Sequence, residues 1–469
     1  MSVTPENRGD LSRRTLLQRA AAAGLLVTPA AGLLSACAGS SPEKSNTGGG
    51  TKSKDNPFGA KDGSAVKVVI FNGGLGDQWA KEDKAIFNKK HPNITVNMSS
   101  TQKIKTEEQP KMATQPSDLI MNSGADSMDR ATLVNEGAIE PLDDLLKAPA
   151  WDGEGTVEDS LLPGTVSDGT QDGKFYVVNV AYTVWGNWYD AALFQKEGWQ
   201  PPVTWDDFFA LAPKIKAKGM APYVHDAIHG YYPRWALMAS IWKAGGKQVV
   251  IDIDNLKDNA WKADAVLKGL EPWEKLVKDK LLLAGKLDHT QSQQAWLDHK
   301  AAFIQVGTWL KNEMAKTIPP GFELTLSDYW SNTGDAAPKD VYASSGEGFV
   351  VPSKAPNKEA AKEVLRAILS KEGSAKFAEL TKSLASTKGS GDNVQDSALA
   401  SANSVMKNAS GLISVRIWDW YADLEKEGQN LSEEFMAGRL TARQFVDKMQ
   451  AAADKVAKDP NVKKQTRTS

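Results

Sequence analysis

The feature that most constrains the fold is an alternation of strand patterns and helix patterns near the start of the main body. Residues 66–71 read as a buried strand that ends in the glycine-rich loop 72–77, and a helical pattern follows. Further strand patterns occupy residues 94–98 and 118–121. Strands that alternate with helices at this spacing are typical of βαβ units. The sequence therefore predicts an α/β fold whose ligand loops lie beyond the carboxyl ends of the strands.

The glycine-rich loop does not carry a nucleotide signature. It lacks the Lys-Ser/Thr pair of a P-loop, and its GGLG run does not match GxGxxG. A tight turn or a close backbone approach is reason enough for these glycines. We expect no cofactor.

The N-terminus carries export signals that end at the single cysteine. Arg13 and Arg14 precede an apolar run of about 17 residues, too short to span a bilayer, as in a twin-arginine signal peptide. The run ends in Leu-Ser-Ala-Cys at Cys37, which resembles the lipobox of bacterial lipoproteins. We predict a signal peptide over residues 1–36, a lipid on Cys37 and a flexible tether over 37–62. The alternative is an uncleaved anchor helix with an incidental buried cysteine.

The composition of the chain limits the possible functions of its folded body. Formal charge is −2 and there is no basic stripe, which argues against nucleic acid. The chain has 15 Trp, and ten of them lie between Trp185 and Trp309. We expect most to pack in the core. A flat indole face also suits the C–H face of a pyranose ring, so this richness favours sugar binding.

Several phrases, in order along the chain, resemble extracellular solute-binding proteins of carbohydrate ABC importers. They are GKFY at 173–176, TWDD at 204–207, the AAF…GTW segment at 301–309 and EGFVVPSKAPNKEAAKEVLRAILS from residue 347. Other phrases are similar to the actinobacterial branch for N-acetylglucosamine and N,N′-diacetylchitobiose. These are NPFGAK, GGLGD, AYTVWGNWY, DNLKDNAWK, LDHTQSQQAW and AAFIQVGTWLKNE.

The resemblance implies a two-lobed periplasmic-binding-protein-like α/β fold with hinge strands and a central cleft. Lobe 1 would comprise residues 63–182 and 346–385, and lobe 2 residues 183–345 and 386–469 with the closing helices. Closure around the ligand is a hinge motion. The implied partners are a mono- or oligosaccharide, two membrane permease subunits and a cytoplasmic ATPase. The implied protein is a monomer held by its lipid on the extracellular face of the membrane.

The resemblance also implies sugar-contacting residues. Trp309 and Tyr232 match aromatic platforms. Trp420, on the closing helix predicted over residues 415–436, would cover the cleft, with Trp418 as its competitor. By the same resemblance the chain would cross between the lobes first near residues 182–187 and a second time near residues 346–351. The remaining candidates lie at the first crossing (Tyr182 and Trp185), after the third strand (Asn122, Ser123 and Asp126) and at the second crossing (Glu347). For Trp309 and Trp185 the alternative is core packing, and for Glu347 it is a salt bridge between lobes.

Two other functions compete with sugar capture. A glycoside hydrolase needs two carboxylates flanking the scissile bond, and no acid here sits in a recognisable motif of that kind. His225 and His229 have the spacing of HExxH, but Asp226 replaces the glutamate, and Pro222 and Gly230 make a regular helix doubtful. Residues 252–255 begin like a calcium loop without its glycine and terminal glutamate. We therefore predict neither catalysis nor a metal.

Overall fold

The computed structural model describes residues 50–124 and 126–468, which lie within one compact unit, Gly48–Ser469. The predicted signal peptide, Cys37 and the first part of the predicted tether fall outside the described residues. None of the helices in the described ranges combines the length and hydropathy that crossing a bilayer requires.

Twelve strands occur in the described ranges. They are β1 (Ala65–Phe71), β2 (Thr95–Thr101), β3 (Leu119–Met121), β4 (Thr170–Gln171), β5 (Lys174–Phe175), β6 (Val178–Asp190), β7 (Ala221–Val224), β8 (Ala301–Gly307), β9 (Leu324–Ser327), β10 (Asp340–Val350), β11 (Leu384–Ala385) and β12 (Gly411–Ile413).

The helices fall before, between and after these strands. The first ten are α1 (Gln78–Lys90), α2 (Ile104–Glu108), α3 (Arg130–Asn135), α4 (Asp143–Lys147), α5 (Val157–Ser160), α6 (Thr165–Gly169), α7 (Ala191–Glu197), α8 (Trp205–Ala217), α9 (Tyr231–Gly245) and α10 (Lys247–Asp254). The others are α11 (Asp264–Lys278), α12 (His289–Leu297), α13 (Leu310–Glu313), α14 (Lys358–Ile368), α15 (Lys371–Thr381), α16 (Ser397–Lys407), α17 (Ile417–Trp420), α18 (Ala422–Met436) and α19 (Ala442–Lys458). Two 3₁₀ turns occupy Gln109–Lys111 and Ala260–Lys262.

One ten-stranded mixed sheet runs through the body and confirms the α/β prediction. Its main order is β2-β1-β3-β10-β6-β8-β7, with β9 and β11 beside β6 and β12 beside β10. The pairs β1–β2, β1–β3 and β7–β8 are parallel, whereas β10 is antiparallel to both β3 and β6. The long strands β6 and β10 join the β1–β3 part of the sheet to the β7–β8 part. They contain the two segments at which the first and second crossings were expected.

Local sequence signals set several element boundaries. The Thr204 hydroxyl accepts from the Asp207 amide at 3.1 Å and the Asp207 carboxylate accepts from the Thr204 amide at 2.9 Å, which together form a capping box at the start of α8. The last helices differ from the prediction. One helix was expected from Val415 to Met436, but the backbone is extended at Tyr421, which separates α17 from α18.

The segment just before β1 corrects the predicted extent of the tether. Residues 50–62 were assigned to a flexible chain, yet the Gly50 amide donates to Gly59 at 2.7 Å. The Phe58 side chain is buried in the core around β1, and Lys362 lies 5.5 Å from the centre of its ring. The described part of this segment therefore belongs to the folded body, because one aromatic side chain anchors it.

Candidate functional site

Five aromatic side chains meet where β6, β8, β10 and α9 come together. We call this group the aromatic cluster, and it consists of Trp185, Tyr232, Trp235, Trp309 and Tyr342. Ring centroids of Trp185 lie 5.9 Å from Trp309, 5.3 Å from Trp235 and 5.2 Å from Tyr342. Tyr232 lies 6.3 Å from Trp309. Most of these pairs are close to perpendicular, the edge-to-face geometry that aromatic quadrupoles favour.

The backbone fixes the position of Trp309. Gly307 pairs with Trp185 across β6 and β8, and the chain then turns so that the Trp309 ring folds back over the end of β8. A Cβ atom at residue 307 would lie only 2.1 Å from that ring. Glycine is therefore required there, because any side chain would displace Trp309.

Burial separates three of the tryptophans from the rest. All 15 lie in the described ranges, and twelve are buried, as expected for core residues. The three that are partly exposed are Trp235, Trp309 and Trp420. Two of them belong to the aromatic cluster, and the third lines a cavity described below. Within the described residues, the partly exposed indoles thus belong either to the aromatic cluster or to that cavity.

The polar residues after β3 are largely engaged by the chain itself. The Asn122 side chain donates to the Met128 carbonyl at 2.9 Å and accepts from the Met128 amide at 2.8 Å. Asp126 accepts from the Thr106 amide at 3.0 Å, and that bond lowers the pKa of its carboxyl. The Ser123 hydroxyl accepts from the Gly348 amide at 3.1 Å. Asn122 and Asp126 thus hold the loop after β3.

Glu347 on β10 has an unusual environment. Its φ is +58°, a left-handed conformation that costs energy for a residue with a side chain. Its Oε2 is buried and receives no hydrogen bond from any described residue. Burial raises the pKa of this carboxyl, and the Ser123 hydroxyl opposes the shift by hydrogen bonding. A strained, partly unsatisfied acceptor of this kind suits a ligand that donates hydrogen bonds.

A cavity of about 470 Å³ opens beside α3, α6 and α17. Its lining residues are Arg130, Val166, Ser167, Thr170, Arg416, Asp419 and Trp420. Of the two competing tryptophans, Trp420 lines the cavity, while Trp418 is buried with Arg234 stacked 4.5 Å from its ring centre.

Asp168 organises the charged wall of this cavity. Its carboxylate accepts from Arg416 at 2.8 Å and from the Ser345 amide at 2.9 Å, and its carbonyl accepts from Arg130 at 2.7 Å. The sequence did not predict Arg130, Asp168 and Arg416, because these residues belong to no motif and are distant in the chain. Strand β10 carries Tyr342 of the aromatic cluster, Ser345 beside Asp168, and Glu347, so it connects the three groups.

Tyr182 does not fit its expected role, whereas the histidine pair lacks the HExxH helix, as expected from the sequence. Tyr182 is fully buried, and its hydroxyl donates to the Pro163 carbonyl at 2.8 Å, so it is a core residue of β6. The segment 225–229 is a loop, which rules out the HExxH geometry. His229 instead lies near Asp226 and His289, whose side-chain ligand atoms come within 4.8 Å of one another.

Comparison with known proteins identifies the family of this chain. The family model described as bacterial extracellular solute-binding protein matches residues 84–408. The chain belongs to this family. It is also 33% identical to a diacetylchitobiose binding protein, NgcE, of Streptomyces coelicolor, over 97% of this chain and 98% of that one. It is therefore a solute-binding protein and not an enzyme, and the predicted family is confirmed.

Solved structures agree on the two-lobed solute-binding fold. A chitin oligosaccharide binding protein superposes with a TM-score of 0.66 at 18% identity, covering 84% of this chain and 99% of that one. The apo form of RafE from Streptococcus pneumoniae gives a TM-score of 0.67 at 16% identity, over 85% and 99%. These matches show the fold alone; the predicted lobe boundaries remain predictions.

Proposed function

We propose that this solute-binding protein captures N-acetylglucosamine or short chito-oligosaccharides and delivers them to the permease of a carbohydrate ABC importer. The observation that carries the sugar assignment is the burial pattern of tryptophan. Twelve of fifteen are buried, and the three partly exposed ones lie in the aromatic cluster or line the neighbouring cavity. Flat apolar faces beside charged and polar groups match the two kinds of surface on a pyranose ring.

Individual roles follow from the environments of the residues. We assign stacking to Trp309 and Trp235, and assign Trp185 and Tyr232 to support of these rings, because both are buried. Trp420 covers the ligand from α17. Glu347 accepts a hydrogen bond from a hydroxyl or an acetamide N–H, with Ser123 beside it. Tyr182, Asn122 and Asp126 are left out, since their polar groups already have partners in the chain.

The choice of an amino sugar is supported by the similarity to the diacetylchitobiose binding protein, which extends over nearly the full length of both chains. An acetamido group adds one N–H donor and one carbonyl acceptor to the sugar. An enclosed polar group that lacks a partner costs roughly 1–3 kcal/mol, so a site built around the acetamido group discriminates against a hydroxyl.

Calorimetry with two matched disaccharides tests this proposal. N,N′-diacetylchitobiose and cellobiose share their linkage and differ at the 2-position, where one has acetamido groups and the other hydroxyls. We expect diacetylchitobiose to bind at least about tenfold more tightly, corresponding to about 1.4 kcal/mol. Equal or tighter binding of cellobiose would refute the amino-sugar assignment and leave a neutral-sugar binding protein. Absence of binding for both, and for maltose and xylobiose, would refute sugar capture.

We also propose that a lipid on Cys37 keeps the protein at the extracellular face of the membrane, near its permease. The supporting observation is the sequence Leu-Ser-Ala-Cys behind a twin-arginine signal. A Cys37→Ala protein should be recovered from the medium instead of the membrane fraction, with unchanged sugar affinity. Its retention at the membrane would contradict the anchor without touching the sugar assignment.

A further inference from the structure

The trio Asp226, His229 and His289 brings three potential metal ligands together from two separate elements. Asp226 and His229 lie in the loop before α9, and His289 is the first residue of α12. The Asp226 Oδ2 lies 2.7 Å from His229 Nδ1 and 4.0 Å from His289 Nδ1. Each residue offers one donor atom, and all three donors lie within 4.8 Å of one another.

Hydrogen bonding leaves one potential metal-ligand atom of the trio, His289 Nδ1, without a partner among the described residues. The contact between Asp226 and His229 is an ordinary hydrogen bond or ion pair. The 4.0 Å from Asp226 to His289 is too long for a hydrogen bond. His289 Nδ1 is nevertheless buried, and it has no hydrogen-bond partner among the residues that the structure describes. An ion bound between the three side chains would satisfy this nitrogen.

The surroundings hold each ligand in place. Asp226 is 2% exposed, and its Oδ1 accepts from the amides of Ile228 at 2.7 Å and His229 at 2.8 Å, which leaves Oδ2 for the trio. The Tyr232 ring lies nearly parallel to the His289 ring, with centroids 6.1 Å apart. Packing and backbone contacts therefore orient the aspartate and one imidazole before any ion binds.

Glu313 lies near the other ring nitrogen of His289. Its Nε2 lies 3.6 Å from Glu313 Oε1, and Gln293 donates to the other Glu313 oxygen at 2.7 Å. Metal-bound histidines usually direct their second ring nitrogen at a carboxylate or carbonyl, which fixes the tautomer that coordinates. At 3.6 Å Glu313 is beyond hydrogen-bond distance of Nε2, so it would have to move closer to His289 to fill this role.

We propose that Asp226, His229 and His289 bind a divalent transition-metal ion of the Zn²⁺ class, with the fourth position open to water. Two imidazoles and one carboxylate suit Zn²⁺, whereas Ca²⁺ and Mg²⁺ prefer oxygen ligands. With bonds of about 2.0–2.1 Å, ligand atoms around a tetrahedral ion lie about 3.3 Å apart. The two distances from Asp226, 2.7 and 4.0 Å, differ from this spacing by about 0.6 and 0.7 Å, and all three ligand atoms lie within 4.8 Å of one another.

The ion would join the loop before α9 to the start of α12, directly behind Tyr232 of the aromatic cluster. It would therefore stabilise the folded state and stiffen one side of that cluster. This inference does not depend on the identity of the sugar, because no trio residue is assigned to sugar contact.

The test uses the full-length protein after dialysis against a chelator. ZnCl₂ is titrated by calorimetry, and CoCl₂ is titrated while the visible absorption that reports low coordination number is followed. We expect one tightly bound ion, a higher Tm with zinc, and at least about tenfold weaker binding in His289→Ala. His299→Gln is the matched control, since His299 pairs with Asp190 and lies outside the trio.

Asp226 also holds its own loop, so His229→Gln is the second variant, and metal-free Tm values verify that each variant folds. No zinc binding to the chelator-treated protein would overturn the proposal. Equal binding by wild type and both trio variants would overturn it as well, since it would indicate an adventitious ion only. A Trp309→Ala protein that keeps zinc binding but loses sugar binding would support two separate sites.

Discussion

The loop after β3 and the aromatic cluster lie at neighbouring parts of the same sheet, but they differ in what they leave available to a ligand. After β3, Asn122 and Asp126 use their polar groups to fix their own loop and the start of α2. In the aromatic cluster, Trp309 and Trp235 pack edge to face and still expose part of each ring. Edge-to-face packing covers one face of only one ring of the pair and leaves the opposite face of that ring available, whereas a polar group that is already hydrogen-bonded within the chain has less capacity left for a ligand.

This difference predicts which substitutions should mainly change sugar affinity and which should mainly change the free energy of unfolding. A variant in the aromatic cluster should change affinity for sugar more than it changes the free energy of unfolding. A variant in the loop after β3 should do the reverse. Glu347 lies between these cases, because its backbone is in a left-handed conformation and its carboxylate is buried, with one oxygen that no described residue satisfies.

The largest effect is expected for Trp309→Ala. Loss of the stacking face should weaken diacetylchitobiose binding by at least about tenfold, or about 1.4 kcal/mol, as measured by calorimetry. Trp309→Phe is the matched control and should keep much of the affinity, because it retains a flat ring. An unchanged affinity in Trp309→Ala would remove this residue from the site and break the contrast between the two regions.

The sequence was sufficient for the parts of the molecule that depend on local pattern. Strand β1, the start of α8 at Thr204 and the buried strand before Trp309 follow from hydrophobic runs, a capping box and a glycine. These features depend on residues close together in the chain. The family also followed, because several loose phrases occur in one order along the body.

The tertiary hydrogen bonds could not be predicted from the sequence. Asn122 follows a strand, as a ligand-binding residue would, but only the fold shows that its amide is bonded to Met128. Asp168 and Arg416 are 248 residues apart and meet only because α6 and α17 face the same cavity. Trp235 did have a local signal, since it lies three residues after Tyr232 and so on the same face of α9.

An intermediate effect is expected for Glu347→Gln. The amide oxygen still accepts a hydrogen bond but lacks the charge, so sugar affinity should fall by roughly three- to tenfold, about 1 kcal/mol. Calorimetry on this variant, beside Asp126→Asn as a control that should bind normally, measures the loss. Full affinity in Glu347→Gln would show that the carboxylate does not contact the ligand.

The same variant should change how stability depends on pH. Burial raises the pKa of Glu347 in the folded state, so the folded protein holds this proton more tightly than the unfolded chain does. Wild type therefore loses stability as pH rises from the ordinary glutamate value through the raised one. Without ligand, Glu347→Gln should have a higher Tm than wild type at neutral pH, and the gap should close in acid. A gap that is independent of pH would contradict the buried charge as its cause.

The smallest effect on binding is expected for Asn122→Ala. This substitution removes both bonds to Met128 and leaves that backbone without its partners, which should lower the free energy of unfolding by about 1–2 kcal/mol. Urea unfolding of the ligand-free protein measures the loss, and calorimetry should give a sugar affinity close to that of wild type. A tenfold loss of affinity with unchanged stability would place Asn122 at the ligand. The loop after β3 would then have to open when sugar binds.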